Sequence, residues 1–257
     1  MRLLVYNIRY GTGGHWVLPW RGYLGQTQGK LSELIAFMRD IDPDVMGLIE
    51  VDEGSYRTGK RSQAERIAEE LGHYHTYRSK YPEHSMAQHF PVLNKQGNAF
   101  LTRDSITGEK FHYFDRGMKR LVIELELNNV VIFLVHLALH FRTRQSQLSE
   151  LYALVSDIEK PYIVAGDFNA RWGEREMRLF QAATGLLNPN DSQQPSYPSR
   201  QPKRQLDFIL HSRGIRTTRF EMPTVTLSDH LPLVLDFEIE SAMPPAPAPL
   251  PREPARV

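Results

Sequence analysis

Short apolar runs recur along the chain, and segments with helical periodicity lie between them. Runs of this length that are rich in Val, Ile and Leu are typical of buried β-strands. Because strands, helices and hairpins are mixed, the pattern predicts a layered α/β (α+β) domain rather than a purely doubly wound sheet. The predicted strands are Leu3–Ile8, Val45–Ile49, Ala99–Leu101, Leu121–Leu127, Val130–Leu137, Tyr162–Ala165, Leu206–Leu210 and Leu233–Ile239.

The runs differ in how their side chains are expected to be buried. Within Leu121–Leu127, apolar residues alternate with two glutamates and a valine, so we expect a strand with one buried face. Asn128-Asn129 joins this run to the next one, as in a two-residue hairpin loop. The runs that precede Glu50 and Asp167 are continuously apolar, which predicts central strands covered on both faces.

Three segments have the periodicity of amphipathic helices. Apolar residues spaced by three and four predict a helix around Leu31–Met38 that stops before Pro43. The segment Ser62–Glu65 has the form of a capping box and begins a second helix. A third helix is predicted around Leu148–Ile158.

Composition bounds the chain without identifying a partner. The 257 residues suffice for one large α/β domain, which we assign to residues 1–240. A net charge of +1 gives no overall attraction to nucleic acid or to an anionic membrane, and the lack of cysteine excludes disulfides and thiolate metal sites. No apolar run approaches the length of a membrane span and no signal peptide is evident, so we expect a cytoplasmic protein. The Pro- and Ala-rich residues 241–257 are expected to be disordered.

Polar residues stand at the ends of the predicted strands. After Tyr162–Ala165, Asp167 and Asn169 leave the strand end on the same side. A carboxylate beside a carboxamide suits a hard divalent cation and a phosphate oxygen. Because charged residues are rarely buried without a partner or a metal, we expect the strand-end residues to gather in one cleft. The others are Asn7, Glu50, His136, Asp207, Asp229 and His230.

Each of these residues, taken alone, also fits an ordinary structural role. Asp167 and Asn169 are typical turn residues, Glu50 fits an exposed strand-end carboxylate, and His136 fits a core histidine. His136 and His140 have a zinc-ligand spacing for a helix, but the run around them is strand-like, so we expect no zinc site there. The recurrence of such residues at strand after strand favours one shared functional site.

The chain carries the motifs Asn7, Glu50, Asp167-Phe168-Asn169, Leu206-Asp207-Phe208 and Ser228-Asp229-His230 in this order. This set resembles the endonuclease/exonuclease/phosphatase superfamily of metal-dependent phosphohydrolases. The resemblance extends from Arg2 to about Phe237. It implies a four-layered, DNase I-like sandwich, in which two packed β-sheets are flanked by helices.

The resemblance also implies a role for each motif residue. Glu50, with Asn7 and Asp229 beside it, would hold Mg²⁺ or Mn²⁺, and such a cation polarises a phosphoryl oxygen. His230 would activate water as a general base or contact the phosphate. Asp207 would fix the tautomer of that ring.

Further residues would act on the water and on the substrate. By the same resemblance, Asp167 would orient the attacking water, Asn169 would donate a hydrogen bond to the phosphate, and His136 would stabilise charge in the transition state.

The candidates for substrate binding are Asn98, Arg142, Arg144 and Arg204. Each also fits a structural role. Asn98 fits a turn asparagine, Arg142 and Arg144 fit arginines that coat a helix start, and Arg204 fits a solvated charge run that begins at Arg200.

The segment after Asn7 departs from the nuclease pattern. Nuclease branches often place an acidic residue near the position of Arg9, and the Asn-Ile-Arg sequence is closer to bacterial hydrolases of unassigned substrate. This departure counts against a second metal ligand there and against action on abasic DNA. Trp16, Trp20 and Tyr23 could form a stacking or lipid-contact lip, or pack beneath their own loop.

The sequence therefore predicts a Mg²⁺- or Mn²⁺-dependent phosphodiesterase that uses water as its nucleophile. Its predicted partner is a phosphodiester substrate, and nucleic acid is the first choice. A phosphatase or a lipid phosphodiesterase is the alternative among enzymes. A non-catalytic binding module on the same scaffold is the alternative from another class, although a binding module has no need to keep metal ligands and a paired histidine together.

Overall fold

The computed structural model describes residues 1–13, 27–79, 95–171 and 174–240. The tail at residues 241–257 and the aromatic residues Trp16, Trp20 and Tyr23 lie outside these ranges, so the predictions about them stay predictions. Among the described residues, no helix is both long and apolar enough to cross a membrane.

Eleven strands, four α-helices and two short 3-10 helices lie within the described ranges. In chain order they are β1 (Arg2–Asn7), a 3-10 helix (Arg9–Gly11), α1 (Gln28–Ile41), β2 (Val45–Asp52), a 3-10 helix (Tyr56–Thr58), α2 (Gln63–Leu71), β3 (Tyr74–Ser79), β4 (Gln96–Thr102), β5 (Gly108–Tyr113), β6 (Leu121–Glu126), β7 (Val131–His136), α3 (Phe141–Ser156), β8 (Tyr162–Asp167), α4 (Glu174–Thr184), β9 (Asp207–His211), β10 (Ile215–Glu221) and β11 (Leu233–Ile239).

The strands form two mixed sheets. The first has six strands in the order β10-β11-β1-β2-β4-β3, and the second has five in the order β5-β6-β7-β8-β9. Within each sheet one pair is parallel, β1 with β2 and β7 with β8, and each of these pairs is joined through a helix. The remaining pairs are antiparallel, including the predicted hairpin of β6 and β7.

The apolar side chains divide into three cores, which separate four layers. One core lies between the two sheets and includes Val5 from the first sheet and Leu134 from the second. A second core joins α1 and α2 to the outer face of the first sheet, with Leu34 at its centre. A third joins α3 and α4 to the second sheet through Leu151 and Phe180. The predicted four-layered sandwich is confirmed.

Strand direction brings the polar strand ends to one edge of the sandwich. Because β1 and β2 are parallel, Asn7 and Glu50 lie at the same end of the first sheet. In the second sheet, His136 at the end of β7 is paired with Asp167 at the end of β8, and Asp167 is paired with Asp207 at the start of antiparallel β9.

The prediction that β6 has one exposed face is wrong. Val122 packs into the core beneath α3, and Glu124 is only 4% exposed. The Glu124 carboxylate bonds to Lys110 at 2.8 Å and to His112 at 2.7 Å on neighbouring β5, so its burial is compensated by charged partners. The strands β3, β5 and β10 and the helix α4 were not predicted from the sequence.

Gly166 is required by the close approach of β7 to β8. Its φ is +142°, and a Cβ atom built there would lie 2.0 Å from the carbonyl oxygen of Val135. No side chain fits this position without displacing the backbone that carries Asp167.

We expect Gly166→Ala to lower the free energy of unfolding by at least about 3 kcal/mol, because it combines backbone strain with a clash against a main-chain oxygen. Gly29→Ala in α1 is the matched control, since a Cβ there meets no atom within 4 Å. We expect the control to be neutral or stabilising by up to about 1 kcal/mol. Urea denaturation of both variants measures the difference, and equal stabilities would contradict the assignment.

Candidate active site

Glu50 is aimed into the site by an irregularity of β2. The pairing of β2 with β4 shifts register between Leu48 and Val51, and Glu50 adopts a left-handed φ of +56° at this bulge. Its backbone N–H donates to the side-chain oxygen of Asn98 at 3.4 Å. This hydrogen bond gives the N–H group a partner at the point where the pairing of β2 with β4 is interrupted. Asn98 itself is 2% exposed, so the structure places it beneath Glu50 rather than at an open surface.

Asp167 is the centre of the polar cluster. Its Oδ2 accepts a hydrogen bond from the Asn7 side chain at 3.3 Å, which connects the two sheets, and it lies 3.2 Å from Nε2 of His136. Its Oδ1 accepts from the backbone of Asn169 at 2.9 Å. Burial opposes ionisation of Asp167, but the neighbouring His136, His230 and Lys119 outweigh burial and hold its pKa below the usual range.

His230 and Asp207 form a buried pair beside Asp167. Nδ1 of His230 donates to Asp207 at 2.8 Å, and Nε2 lies 4.0 Å from Asp167. Ser196 donates a further hydrogen bond to Asp207 at 2.6 Å. Burial alone would lower the pKa of His230, but the carboxylates of Asp207, Asp167 and Asp229 outweigh it and raise the pKa to about 10. The predicted contact between Asp207 and the ring is present.

Lys119 belongs to the cluster, although the sequence analysis did not select it. Its ammonium group donates to Nε2 of His136 and lies 4.0 Å from Oε1 of Glu50. Burial, and then the charge of Lys119, lower the pKa of His136, so this imidazole is neutral at neutral pH. The hairpin register contained the signal, because β6 and β7 are antiparallel and the start of β6 therefore lies beside the end of β7.

Asn169 is fixed by the turn that follows β8. Its φ is +50°, and its side-chain amide donates to the carbonyl of Leu137 at 2.9 Å. Asn is among the residues that most readily accept a left-handed backbone. The amide is thereby held between the ends of β7 and β8, and it is 2% exposed.

Asp229 and Glu50 are two carboxylates of the cluster that retain access to solvent. Burial raises the pKa of Asp229 and the nearby charge of Glu50 adds to the effect, while His230 and Arg9 act against it. Arg9 lies 3.5 Å from Asp229, and its positive charge partly neutralises that carboxylate.

Two sets of donors could hold a cation. Donor atoms of Asp167, Asp207 and His230 lie within 4.8 Å of one another. In this set, however, Asp207 and Nδ1 of His230 already satisfy each other, and a cation would have to break that pair. The side chains of Glu50 and Asp229 are 17% and 16% exposed and repel each other, and Asn7 adds a carboxamide oxygen. Oxygen donors of this kind fit Mg²⁺ or Mn²⁺.

The predicted role of Arg144 in substrate binding is contradicted. Arg144 is fully buried, and its guanidinium makes a bidentate ion pair with Glu176 of α4 at 2.7 and 2.8 Å. It also donates to the carbonyl oxygens of Ala138 and Leu139 at 2.9 Å, just after β7. All three guanidinium nitrogens donate hydrogen bonds, which join α3 to α4 and to the segment that follows His136.

Of the remaining predicted substrate contacts, Asn98 is buried, whereas two arginines have exposed side chains. Arg142 is exposed in the first turn of α3, and Arg204 is exposed in the segment that leads into β9. The backbone of Arg204 is bonded to Tyr197, whose ring packs on His230 with 4.9 Å between ring centroids. Their roles in substrate binding stay predictions.

Comparison with known proteins gives the following matches. Residues 4–230 match the Endonuclease/Exonuclease/phosphatase family. A UPF0294 protein from Vibrio cholerae is 34% identical over 100 residues, which are 37% of this chain and only 34% of that protein. An endonuclease/exonuclease/phosphatase structure from Beutenbergia cavernae has a TM-score of 0.72 at 19% identity, over 96% of this chain and 73% of that one. The mannosyl-6-phosphatase of Bacteroides thetaiotaomicron has a TM-score of 0.69 at 14% identity, over 93% and 100%.

We expect Arg144→Ala to lower the free energy of unfolding by about 3–5 kcal/mol, because it leaves the Glu176 carboxylate buried without a partner. Arg142→Ala, two positions earlier on the same helix, is the control and should change stability by less than about 0.5 kcal/mol. Thermal and urea unfolding measure both effects. Wild-type stability of the Arg144 variant would show that the buried pair contributes nothing.

Proposed function

The chain belongs to the Endonuclease/Exonuclease/phosphatase family, and on this basis we propose that it is a divalent-metal-dependent phosphodiesterase that hydrolyses nucleic acid. Members of the family are hydrolases that act on phosphoesters, so the reaction class follows from membership. The metal, the residue roles and the substrate are our proposal.

The observation that carries the proposal is the division of the cluster into two parts. Glu50 and Asp229 are accessible carboxylates that repel each other. Asp207 and His230 are a buried pair joined by a hydrogen bond of 2.8 Å, and Nε2 of His230 lies 4.0 Å from Asp167. A cation at the first part would offset the repulsion between Glu50 and Asp229. A reacting phosphate over the second part would contact the ring of His230. This division supports hydrolysis over a pure binding function.

Glu50, Asp229 and Asn7 would hold Mg²⁺ or Mn²⁺, and the cation would supply neutralisation of charge on a phosphoryl oxygen. Asp167 orients the attacking water, because its pKa is held low and it stays ionised as an acceptor. Nδ1 of His230 is taken by Asp207, so Nε2 is the atom left to contact the phosphate.

Asn169 and Lys119 would supply further hydrogen-bond donors and positive charge to the phosphate. The hydrogen bond from Asn169 to Leu137 holds the amide between the ends of β7 and β8, and its remaining N–H would donate to a phosphate oxygen. Since His136 is neutral, the positive charge comes from Lys119, which bonds to its ring. Preorganised donors of this kind stabilise charge that develops in the transition state.

Nucleic acid is the proposed substrate because basic residues are concentrated beside the site, although the chain as a whole is nearly neutral. The chain has a net charge of only +1, yet Arg171, Lys203 and Arg204 line one cavity, and Arg171 lies 5.8 Å from the ring of Tyr197, which packs on His230. A phosphomonoesterase is the second candidate, since the structurally similar Bacteroides protein is named a mannosyl-6-phosphatase. The two candidates differ in whether a phosphodiester or a phosphomonoester is turned over faster.

We expect metal-dependent turnover of bis-p-nitrophenyl phosphate, single-stranded and double-stranded DNA, or RNA, which EDTA abolishes. Asp167→Asn should lower kcat by about 10²–10⁴-fold, since the water loses its ionised acceptor. Glu50→Gln should raise the Mn²⁺ concentration for half-maximal activity by about tenfold or more. Nucleic-acid cleavage should also weaken steeply with salt.

Glu126→Gln is the control for these variants, because Glu126 lies at the far end of β6 and pairs with exposed Lys160. Inositol phosphates, sphingomyelin and mannose 6-phosphate test the other substrate classes. Faster turnover of phosphomonoesters would replace the nuclease assignment by a phosphatase. Turnover that persists in both Asp167→Asn and His230→Ala would overturn the assignment of the site.

We expect Lys119→Ala to lower kcat by about 10²–10³-fold on every accepted substrate with little change in KM, because its charge acts mainly in the transition state. Lys119→Arg should retain part of the activity. Lys160→Ala is the matched control, since it removes an exposed ammonium far from the site. A rise in KM without loss of kcat would assign Lys119 to ground-state binding instead.

A further inference from the structure

A cavity of about 280 Å³ opens beside the candidate active site. Arg171 on its wall lies two residues after Asn169, and Phe208 directly follows Asp207. The other walls come from α4 and from residues 188–205. The cavity therefore adjoins the site through the ends of β8 and β9.

The described residues that line the cavity include four cations and no carboxylate. The cations are Arg171, Arg178, Lys203 and Arg204, and all four side chains are exposed. Within the part of the chain that the structure describes, no ion pair involves Arg171, Lys203 or Arg204. The positive charge of these three side chains, gathered in a concave surface, attracts an anion.

The floor and one wall of the cavity fit the remainder of a phosphorylated molecule. Met177 and Phe208 are 2% and 4% exposed and form an apolar base that suits the carbon face of a ring. The side-chain nitrogen of Gln205, another lining residue, is buried and has no hydrogen-bond partner within the described residues. A buried donor without an acceptor costs free energy, and an oxygen of a ligand would remove that cost.

Tyr197 connects the cavity to the candidate active site. The centroid of its ring lies 4.9 Å from that of the His230 ring. The guanidinium of Arg171 lies 5.8 Å from the centroid of the Tyr197 ring. The backbone of Arg204 is bonded to Ser196 and Tyr197 at 2.9–3.0 Å, and Ser196 in turn holds Asp207. These contacts therefore fix the backbone of Arg204 and the ring of Tyr197 relative to Asp207 and His230.

We propose that this cavity is a subsite for a second phosphate group of the substrate, next to the phosphoester that is hydrolysed. The proposal rests on the proposed phosphodiesterase function and names the feature of the substrate that the protein recognises. Arg and Lys side chains bind phosphate through charge-assisted hydrogen bonds, and the apolar base accommodates the sugar or polyol ring that joins the two phosphates. The second phosphate belongs either to the next nucleotide of a strand or to a small polyol bisphosphate.

Matched chromogenic esters test the subsite by activity. Thymidine carrying a p-nitrophenyl phosphate at its 5′ position is compared with the same ester carrying an added 3′ phosphate, and the 3′ ester is compared with and without a 5′ phosphate. We expect the added phosphate to raise kcat/KM by about tenfold or more in one of the two pairs, mainly through KM. The two pairs together cover either direction of the bound substrate.

The double variant Lys203→Gln/Arg204→Gln should lower this preference to less than about threefold, because two of the charges that bind the second phosphate are removed. Arg213→Gln is the control, since Arg213 is exposed just beyond the opposite end of β9 and the preference should be retained. Melting temperatures of both variants exclude loss of the fold as the cause.

A binding measurement without added metal separates this inference from the proposed function. Calorimetry with thymidine 3′,5′-bisphosphate and inositol 1,4-bisphosphate, each against its monophosphates, should show tighter binding of one bisphosphate, which identifies the source of the second phosphate. Turnover without any preference in either ester pair, together with equal affinity for mono- and bisphosphates, overturns the subsite and leaves the phosphodiesterase intact. Preferential bisphosphate binding without turnover supports the subsite and refutes the phosphodiesterase.

Discussion

The packing of the two sheets face to face is the constraint on which the site depends. Each sheet alone carries only part of the cluster, with Asn7 and Glu50 on the first and His136 and Asp167 on the second. The shared apolar core sets the two edges side by side, and the hydrogen bond from Asn7 to Asp167 at 3.3 Å spans the junction. A small rotation of one sheet would move Glu50 away from Asp167 and would pull His230, just before β11, away from Asp207 at the start of β9. The site is therefore a property of the interface between the sheets.

Much of this arrangement could be predicted from the sequence because its signals are local. Continuous apolar runs identified the central strands, and a polar residue directly after such a run marks a strand end. Charged residues are rarely buried without a partner or a metal, and on this basis Glu50, Asp167 and His230 could be grouped in one cleft without coordinates. The contact of Asp207 with His230 also agrees with the structure at 2.8 Å.

The parts that could not be predicted depend on partners that are distant in the chain. Glu124 appeared to mark an exposed face, but charged groups on the next strand allow it to be buried. Arg144 had the character of a substrate contact until its partner Glu176, 32 residues away, was placed beside it. Lys119 lies two residues before β6, and its partner His136 is 17 residues away in the chain. In each case the type of charged residue did not indicate its position in the fold, which depends on the group that lies beside it.

The buried ion pair of Arg144 has a consequence for substrate length. Glu176 lies on α4 directly before Met177 and Arg178, which line the basic cavity, while the guanidinium also holds the segment directly after His136. This buried contact therefore sets the spacing between the candidate active site and the cavity. If both bind phosphate as proposed, a linker between the two phosphates that is too short or too long would require a movement of α4 that breaks the buried pair.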